Sequence, residues 1–155
     1  MRGGCSCGAV TYRLTDAPMI VHCCHCSWCQ TETGSAFVIN AVIERGRLEV
    51  EGDPDAVMTP SASGKGQEIF RCTECRVALW SHYSSAARKA AFVRVGTMEH
   101  PGDCAPDVHI FTSTKLPWVT LPDGVPAFEE FYPDPGAVWS FEAQERWKAL
   151  LTMPG

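Results

Sequence analysis

The stretch His22-Cys23-Cys24-His25-Cys26-Ser27-Trp28-Cys29-Gln30 (HCCHCSWCQ) places four cysteines and two histidines in nine residues. Four structures can use such a stretch: a disulfide knot, a redox pair, a closed metal site, or a metal site with a vacancy. The chain has nine cysteines, and an odd number cannot all pair within it. No basic segment followed by an apolar run opens the sequence, so no signal peptide and a cytoplasmic location are expected. In a reducing compartment clustered cysteines bind metal more often than they pair.

The bulk properties frame this reading. A chain of 155 residues fits one domain and is long enough to bury a core without staples. The net charge is −5 and the pI about 5.5, without the basic stripe of a nucleic-acid binder. No apolar run is long enough to span a bilayer.

Outward from the central cluster the chain reads mostly as strand. Val10, Tyr12 and Leu14 alternate onto one face. SAFVINAVIE, RLEVEG, QEIFRC, VALWSHY, AAFVRVGTM and DVHIFTST are β-branched or aromatic and punctuated by Gly, Pro or Asp. Many short strands point to antiparallel sheets. SSAARKAA predicts a short helical turn. SFEAQERWKALL predicts a C-terminal helix with Ser140 as N-cap and an apolar stripe of Ala143, Trp147, Leu150 and Leu151.

Eight cysteines fall into three groups: Cys5 and Cys7; Cys23, Cys24, Cys26 and Cys29; Cys72 and Cys75. Residues i and i+2 of an extended chain share a face, so Cys5 and Cys7 can meet one ion, as can Cys24 and Cys26. Turns at Ser27-Trp28 and Thr73-Glu74 would complete the two Cys-x-x-Cys pairs. Cys5, Cys7, Cys72 and Cys75 suit a closed tetrahedral site. Cys24, Cys26 and Cys29 then stand apart with one position free, as in catalytic zinc sites. Spacing alone also permits a four-cysteine site built from the second and third groups.

GGCSCGAVTY (Gly3–Tyr12), CHCSWCQ (Cys24–Gln30), FRCTEC (Phe70–Cys75), VGTMEHP (Val95–Pro101) and PDVHIFTSTKLPW (Pro106–Trp118) occur in the order found in a known family. The chain resembles the glutathione-dependent formaldehyde-activating enzymes, a family that includes the centromere protein V-like domains. The resemblance spans about residues 2–132 and leaves 133–155 as a tail with a short helix. It implies a mainly β, β-tent-like fold with two zinc ions. The structural zinc motif falls on Cys5, Cys7, Cys72 and Cys75, and the active-site motif on Cys24, Cys26 and Cys29. One departure is Arg76, where the family usually has a glycine able to take positive φ. Cys23 and Cys104 are additional.

A zinc held by three thiolates acidifies a bound water less than a three-histidine zinc does, and is better suited to accept another sulfur. A thiol arriving there is deprotonated on the metal. The resemblance implies glutathione as that thiol, with formaldehyde the reference electrophile, and a carbon–sulfur lyase-type reaction on the adduct. Glutathione's carboxylates call for basic neighbours. Arg13, Lys65, Arg71, Arg94 and Lys115 are candidates. The rival readings are a scaffold whose two zincs are both structural, and a redox switch using Cys23–Cys29. A homodimer through the C-terminal helix is open.

Other residues carry blander readings beside these. His22 is a possible fourth ligand. His25 is a possible general acid or base, or else a satisfied polar contact. Cys23 reads as a small buried hydrophobe, and Cys104 as a free thiol facing solvent. His109 reads as a structural histidine or a substrate contact. Trp28 can wall the site, whereas Trp80 and Trp118 read as packing residues. His82 and His100 read as surface or turn residues, and FEEFY (Phe128–Tyr132) as an amphipathic edge.

Overall fold

Val38 to Glu44 (VINAVIE) is apolar at nearly every position, the pattern of a strand buried on both faces. In the computed structural model, which describes residues 1–153, this run is strand β4. The expected tail is therefore described except for residues 154–155, which lie outside the described residues. Ala41 and Ile43 pack into one apolar cluster, and Val38 and Val42 into another on the opposite face.

The described residues form ten strands: β1 (Arg2–Gly4), β2 (Thr11–Leu14), β3 (Ile20–Cys24), β4 (Val38–Glu44), β5 (Leu48–Glu51), β6 (Asp55–Thr59), β7 (Gln67–Arg71), β8 (Ala78–Tyr83), β9 (Ala90–Arg94) and β10 (Val108–Ile110). They also form two α-helices, α1 (Ser27–Thr33) and α2 (Phe141–Thr152). A seven-stranded sheet runs β10-β3-β4-β9-β8-β7-β6, and a three-stranded sheet runs β1-β2-β5. The protein is mainly β, as expected. The pairings are antiparallel except β10 with β3, which is parallel and sets His109 beside Cys23.

Val10, Tyr12 and Leu14 are buried against the first face of the large sheet, with Trp80 and Leu79. The second face carries α1 and the chain's C-terminal part: Tyr132, Trp139, Ala143 and Leu150 pack there with Cys24, Cys26 and Cys29. The Ser140 hydroxyl accepts from Ala143 N–H at 3.1 Å and so caps α2. Of the expected stripe, Ala143 and Leu150 are buried, while Leu151 is exposed at the helix end. Arg146 makes a two-pronged ion pair to Glu44 at 2.9 and 2.6 Å, pinning α2 to the end of β4. The predicted turn in SSAARKAA is a 3-10 turn at Ser84–Ala86.

Several single-residue expectations need correcting. Cys104 is buried, with its sulfur 3.5 Å from Met1 Sδ, rather than facing solvent. His82 is buried, with Nδ1 bonded to the Ala90 carbonyl at 2.6 Å, because β8 is a central strand. Trp118 is 72% exposed rather than packed. Trp80 is buried as read, stacked on Phe70.

Candidate metal centre and its pocket

Two cysteine clusters form on opposite faces of the large sheet. Cys5 and Cys7 follow β1, while Cys72 and Cys75 form the turn after β7. Gly3 allows β1 to lie close, since a Cβ there would sit 2.4 Å from Tyr12 Oη. The Cys5–Cys7 and Cys7–Cys72 sulfur distances are 3.5 and 3.6 Å, and all four sulfurs lie within 4.8 Å of one another. A regular tetrahedron with zinc–sulfur bonds of about 2.3 Å has edges of about 3.8 Å, so this donor set fits zinc.

The turn holds Arg76 at φ 61°, in the left-handed region that glycine enters freely. Arg76 N–H donates to the Cys72 carbonyl at 3.1 Å, closing the loop. Arginine thus takes the backbone conformation that the missing glycine would have supplied.

The second cluster is Cys24, Cys26 and Cys29, whose sulfurs also lie within 4.8 Å of one another. Cys24 ends β3 and Cys26 is the N-cap of α1. The segment after Cys26 is therefore a helix, where a turn was expected. Cys26 Sγ accepts the Cys29 N–H at 3.3 Å, so one ligand candidate caps the helix that carries another. Gly34 at φ 62° stops the helix. Gln30 Nε2 donates to the His25 and Thr114 carbonyls at 2.7 and 2.9 Å, tying α1 to the strand end and to the loop after β10.

As free thiols the three share one negative charge. Hydrogen bonds from Cys24 and Cys29, then from the α1 N–H groups, hold Cys26 down to about 3. The same sharing with Cys26 pushes Cys24 up to about 12, and sharing with Cys24 and Cys26 pushes Cys29 up. A cation with room for three sulfurs would neutralise that charge and let all three ionise.

Among the described residues, no fourth cysteine, histidine, aspartate or glutamate joins this group. His22, the possible fourth ligand, has Nε2 bonded to Tyr132 Oη at 2.9 Å. Tyr132 also accepts from Trp139 Nε1–H at 2.6 Å. Burial pushes His22 down to about 4, so the ring is neutral near pH 7.

The three sulfurs and His22 line a cavity of about 390 Å³. Phe92, Phe111, Phe131, Trp139 and Trp147 wall it, and Trp28 stands at its rim, half exposed. The FEEFY segment is therefore part of this wall through Phe131, not a bare edge. Phe111 sits at φ 55°, a strained conformation for a bulky residue. It is held by Phe111 N–H to the Glu130 carbonyl at 3.1 Å and Thr112 N–H to the Phe128 carbonyl at 3.0 Å. The contribution of residues beyond 118 to the pocket was not read from the sequence. The concentration of aromatic residues between Phe128 and Trp147 is the signal that could have found it.

His25 points away from the cavity and is fully buried. Its Nε2 lies 2.9 Å from His109 Nδ1 and 3.5 Å from Cys23 Sγ. These three residues form a third buried group of possible donors. Cys23 is buried, as read from the sequence. His109 is turned to the face opposite the cavity and touches His25 rather than lining the pocket. None of Arg13, Lys65, Arg71, Arg94 or Lys115 lines the cavity.

Fold and clusters together define a mainly β protein with a four-sulfur site on one face of its sheet and an open three-sulfur site on the other. The family model for the glutathione-dependent formaldehyde-activating enzyme matches residues 1–114, and the chain belongs to that family. A crystal structure of a Rhodobacter sphaeroides protein is similar at 22% identity and a TM-score of 0.48, covering 64% of this chain and 88% of that one. No curated protein matches the chain. No described helix is long and apolar enough to cross a membrane.

Proposed function

We propose that the protein is a zinc-dependent carbon–sulfur lyase-type enzyme acting on the adduct of a thiol with a small electrophile such as an aldehyde. Glutathione, named in the family description, is the reference thiol. Cys5, Cys7, Cys72 and Cys75 hold a structural zinc in this reading, and Cys24, Cys26 and Cys29 hold the zinc that meets the thiol. The observation that carries it is the convergence of three sulfurs at a concave cavity without a fourth cysteine, histidine, aspartate or glutamate beside them among the described residues. This favours an enzyme over a scaffold with two closed sites.

Zinc bound there would supply Lewis acidity, keeping an incoming thiol ionised at neutral pH. The chain's own residues orient and exclude water. Cys26 and Cys29 are fixed by the first turn of α1. His22, neutral and held by Tyr132, presents a polar edge without adding charge. The aromatic wall keeps bulk water from the adduct. In the forward direction a carbon–sulfur bond forms between thiol and carbonyl carbon, and the thiol proton ends on the carbonyl oxygen. The reverse breaks the same bond, with no change of oxidation state. His25 is assigned a positioning role, since its carbonyl anchors Gln30 and Thr114.

The test is cobalt substitution followed by glutathione addition. The sulfur-to-cobalt absorption should change on addition, and this response should vanish in Cys24→Ser. Exchange NMR should show faster interconversion of formaldehyde, glutathione and their adduct with protein than without. An unchanged exchange rate and an inert cobalt spectrum would sink the proposal.

A further inference from the structure

Resting on that reading of the three-sulfur site, we infer that the pocket selects thiols and thiol adducts that place an uncharged, apolar, ring-sized group inside it, and that the C-terminal segment contributes to this preference. Three observations lead there.

The first is charge. No lysine, arginine, aspartate or glutamate lines the cavity. None of the basic side chains that might read a carboxylate lines it. Arg94 donates one N–H to Asn40 at 2.5 Å while its Nε and Nη2 are buried without partners, Arg71 pairs with Glu32, and Lys115 donates to the Val119 carbonyl at 2.7 Å. A carboxylate drawn inside would lose its water and gain no ionic partner. Three thiolates around a divalent cation add a formal charge of about −1, which repels anions further.

The second is shape. The wall is aromatic, and Phe131, Trp139 and Trp147 come from beyond the 1–114 family match. Ring faces and edges of this kind favour an aromatic or compact aliphatic guest. The portion matched by the family model supplies the sulfurs together with Phe92 and Phe111, and the C-terminal portion adds Phe131, Trp139 and Trp147 to the wall.

The third is a single unpaired acceptor. Gln67 lines the cavity, is 2% exposed, and its Oε1 is buried without a partner. A buried acceptor with no donor is costly unless a ligand supplies one. The hydroxyl that forms when a thiol adds to an aldehyde is such a donor. The aromatic wall and the unpaired acceptor, with Asn40, Ser61, Ser63, Tyr83 and Ser85 also in the lining, suit a hemithioacetal with one O–H and an apolar substituent.

The experiment uses full-length cobalt-loaded protein with two thiol probes, phenylmethanethiol and glutathione, and one sulfur-free probe, benzyl alcohol. Phenylmethanethiol should perturb the cobalt spectrum at concentrations about tenfold or more below those of glutathione. Trp147→Ala should shrink that ratio by about fivefold or more, and Phe131→Ala, at a half-exposed position, provides the same readout should Trp147→Ala fail to fold. Benzyl alcohol should quench tryptophan fluorescence saturably. Glutathione binding more tightly than phenylmethanethiol, or a ratio unmoved by both variants, overturns the inference while leaving sulfur on the metal intact. Saturable benzyl alcohol binding with an inert cobalt spectrum keeps the apolar preference and overturns the sulfur–metal reading. A pocket inert to all three probes overturns both.

Discussion

His22 and Tyr132 are 110 residues apart in sequence, yet Nε2 of one lies 2.9 Å from the hydroxyl of the other at the edge of the cavity. Tyr132 also receives the Trp139 indole N–H. Tyr132→Phe leaves two buried polar groups without a partner, at a cost of about 1–3 kcal/mol for each. Thermal melting should show this loss. Metal content should be unchanged, because His22 is engaged by the tyrosine and not by the sulfur cluster. The companion measurement is metal analysis: His22→Ala should retain the wild-type zinc content, and Cys24→Ser should lose one equivalent.

Zinc content of the native protein should be two per chain rather than three. Cys23, His25 and His109 have the proximity for a third ion. Their rings argue otherwise. His25 Nδ1 and His109 Nε2 are buried without partners. While the rings hydrogen-bond to each other, one stray N–H and one stray lone pair remain. Metal on both inner nitrogens would leave two stray N–H groups, whereas ligating histidines ordinarily donate theirs to an acceptor. Metal analysis of Cys23→Ala should match wild type; a drop by one equivalent would show a third ion.

Arg76→Gly should stabilise the protein. A left-handed conformation costs a non-glycine residue about 1–2 kcal/mol. The change also removes an exposed pair to Asp55, worth at most about 1 kcal/mol. A net gain of up to about 1 kcal/mol is expected in chemical denaturation of the zinc-loaded protein. A loss would mean the Asp55 contact outweighs the backbone strain.

Acid should loosen α2 before it unfolds the sheet. Burial alone would raise the Glu44 carboxyl, but the Arg146 hydrogen bonds outweigh it and hold the group below its usual range. A carboxylate depressed on folding contributes stability above its unfolded pKa, and that contribution fades as pH falls through the folded value. Trp139 and Trp147, with ring centroids 5.5 Å apart, report on this docking. Their fluorescence should change below the ordinary carboxyl range in wild type. In Glu44→Gln the acid step should disappear.

The alternation of Val10, Tyr12 and Leu14 and the capping of α2 by Ser140 were legible because each depends on neighbours within a few residues. The four-sulfur grouping was legible only through the family resemblance, since spacing alone also let the second and third cysteine groups combine. The path of the chain through Cys26 was not, since an extended and a helical start both place Cys24 near Cys26, and only Cys29 N–H decides for the helix. His82 was misread because nothing local shows that β8 is flanked on both sides. The pocket's aromatic wall was hidden for the same reason: Phe131 and Trp147 meet Cys24 only through long-range packing.

The order in which the cysteines leave the ribosome differs from the order in which they become protected. Cys24, Cys26 and Cys29 emerge together and can gather an ion early. The partners of Cys5 and Cys7 arrive only with Cys72 and Cys75, and Trp147 comes later still. Until α2 has been made and docked, the cavity of Cys24, Cys26 and Cys29 lacks its Trp147 wall.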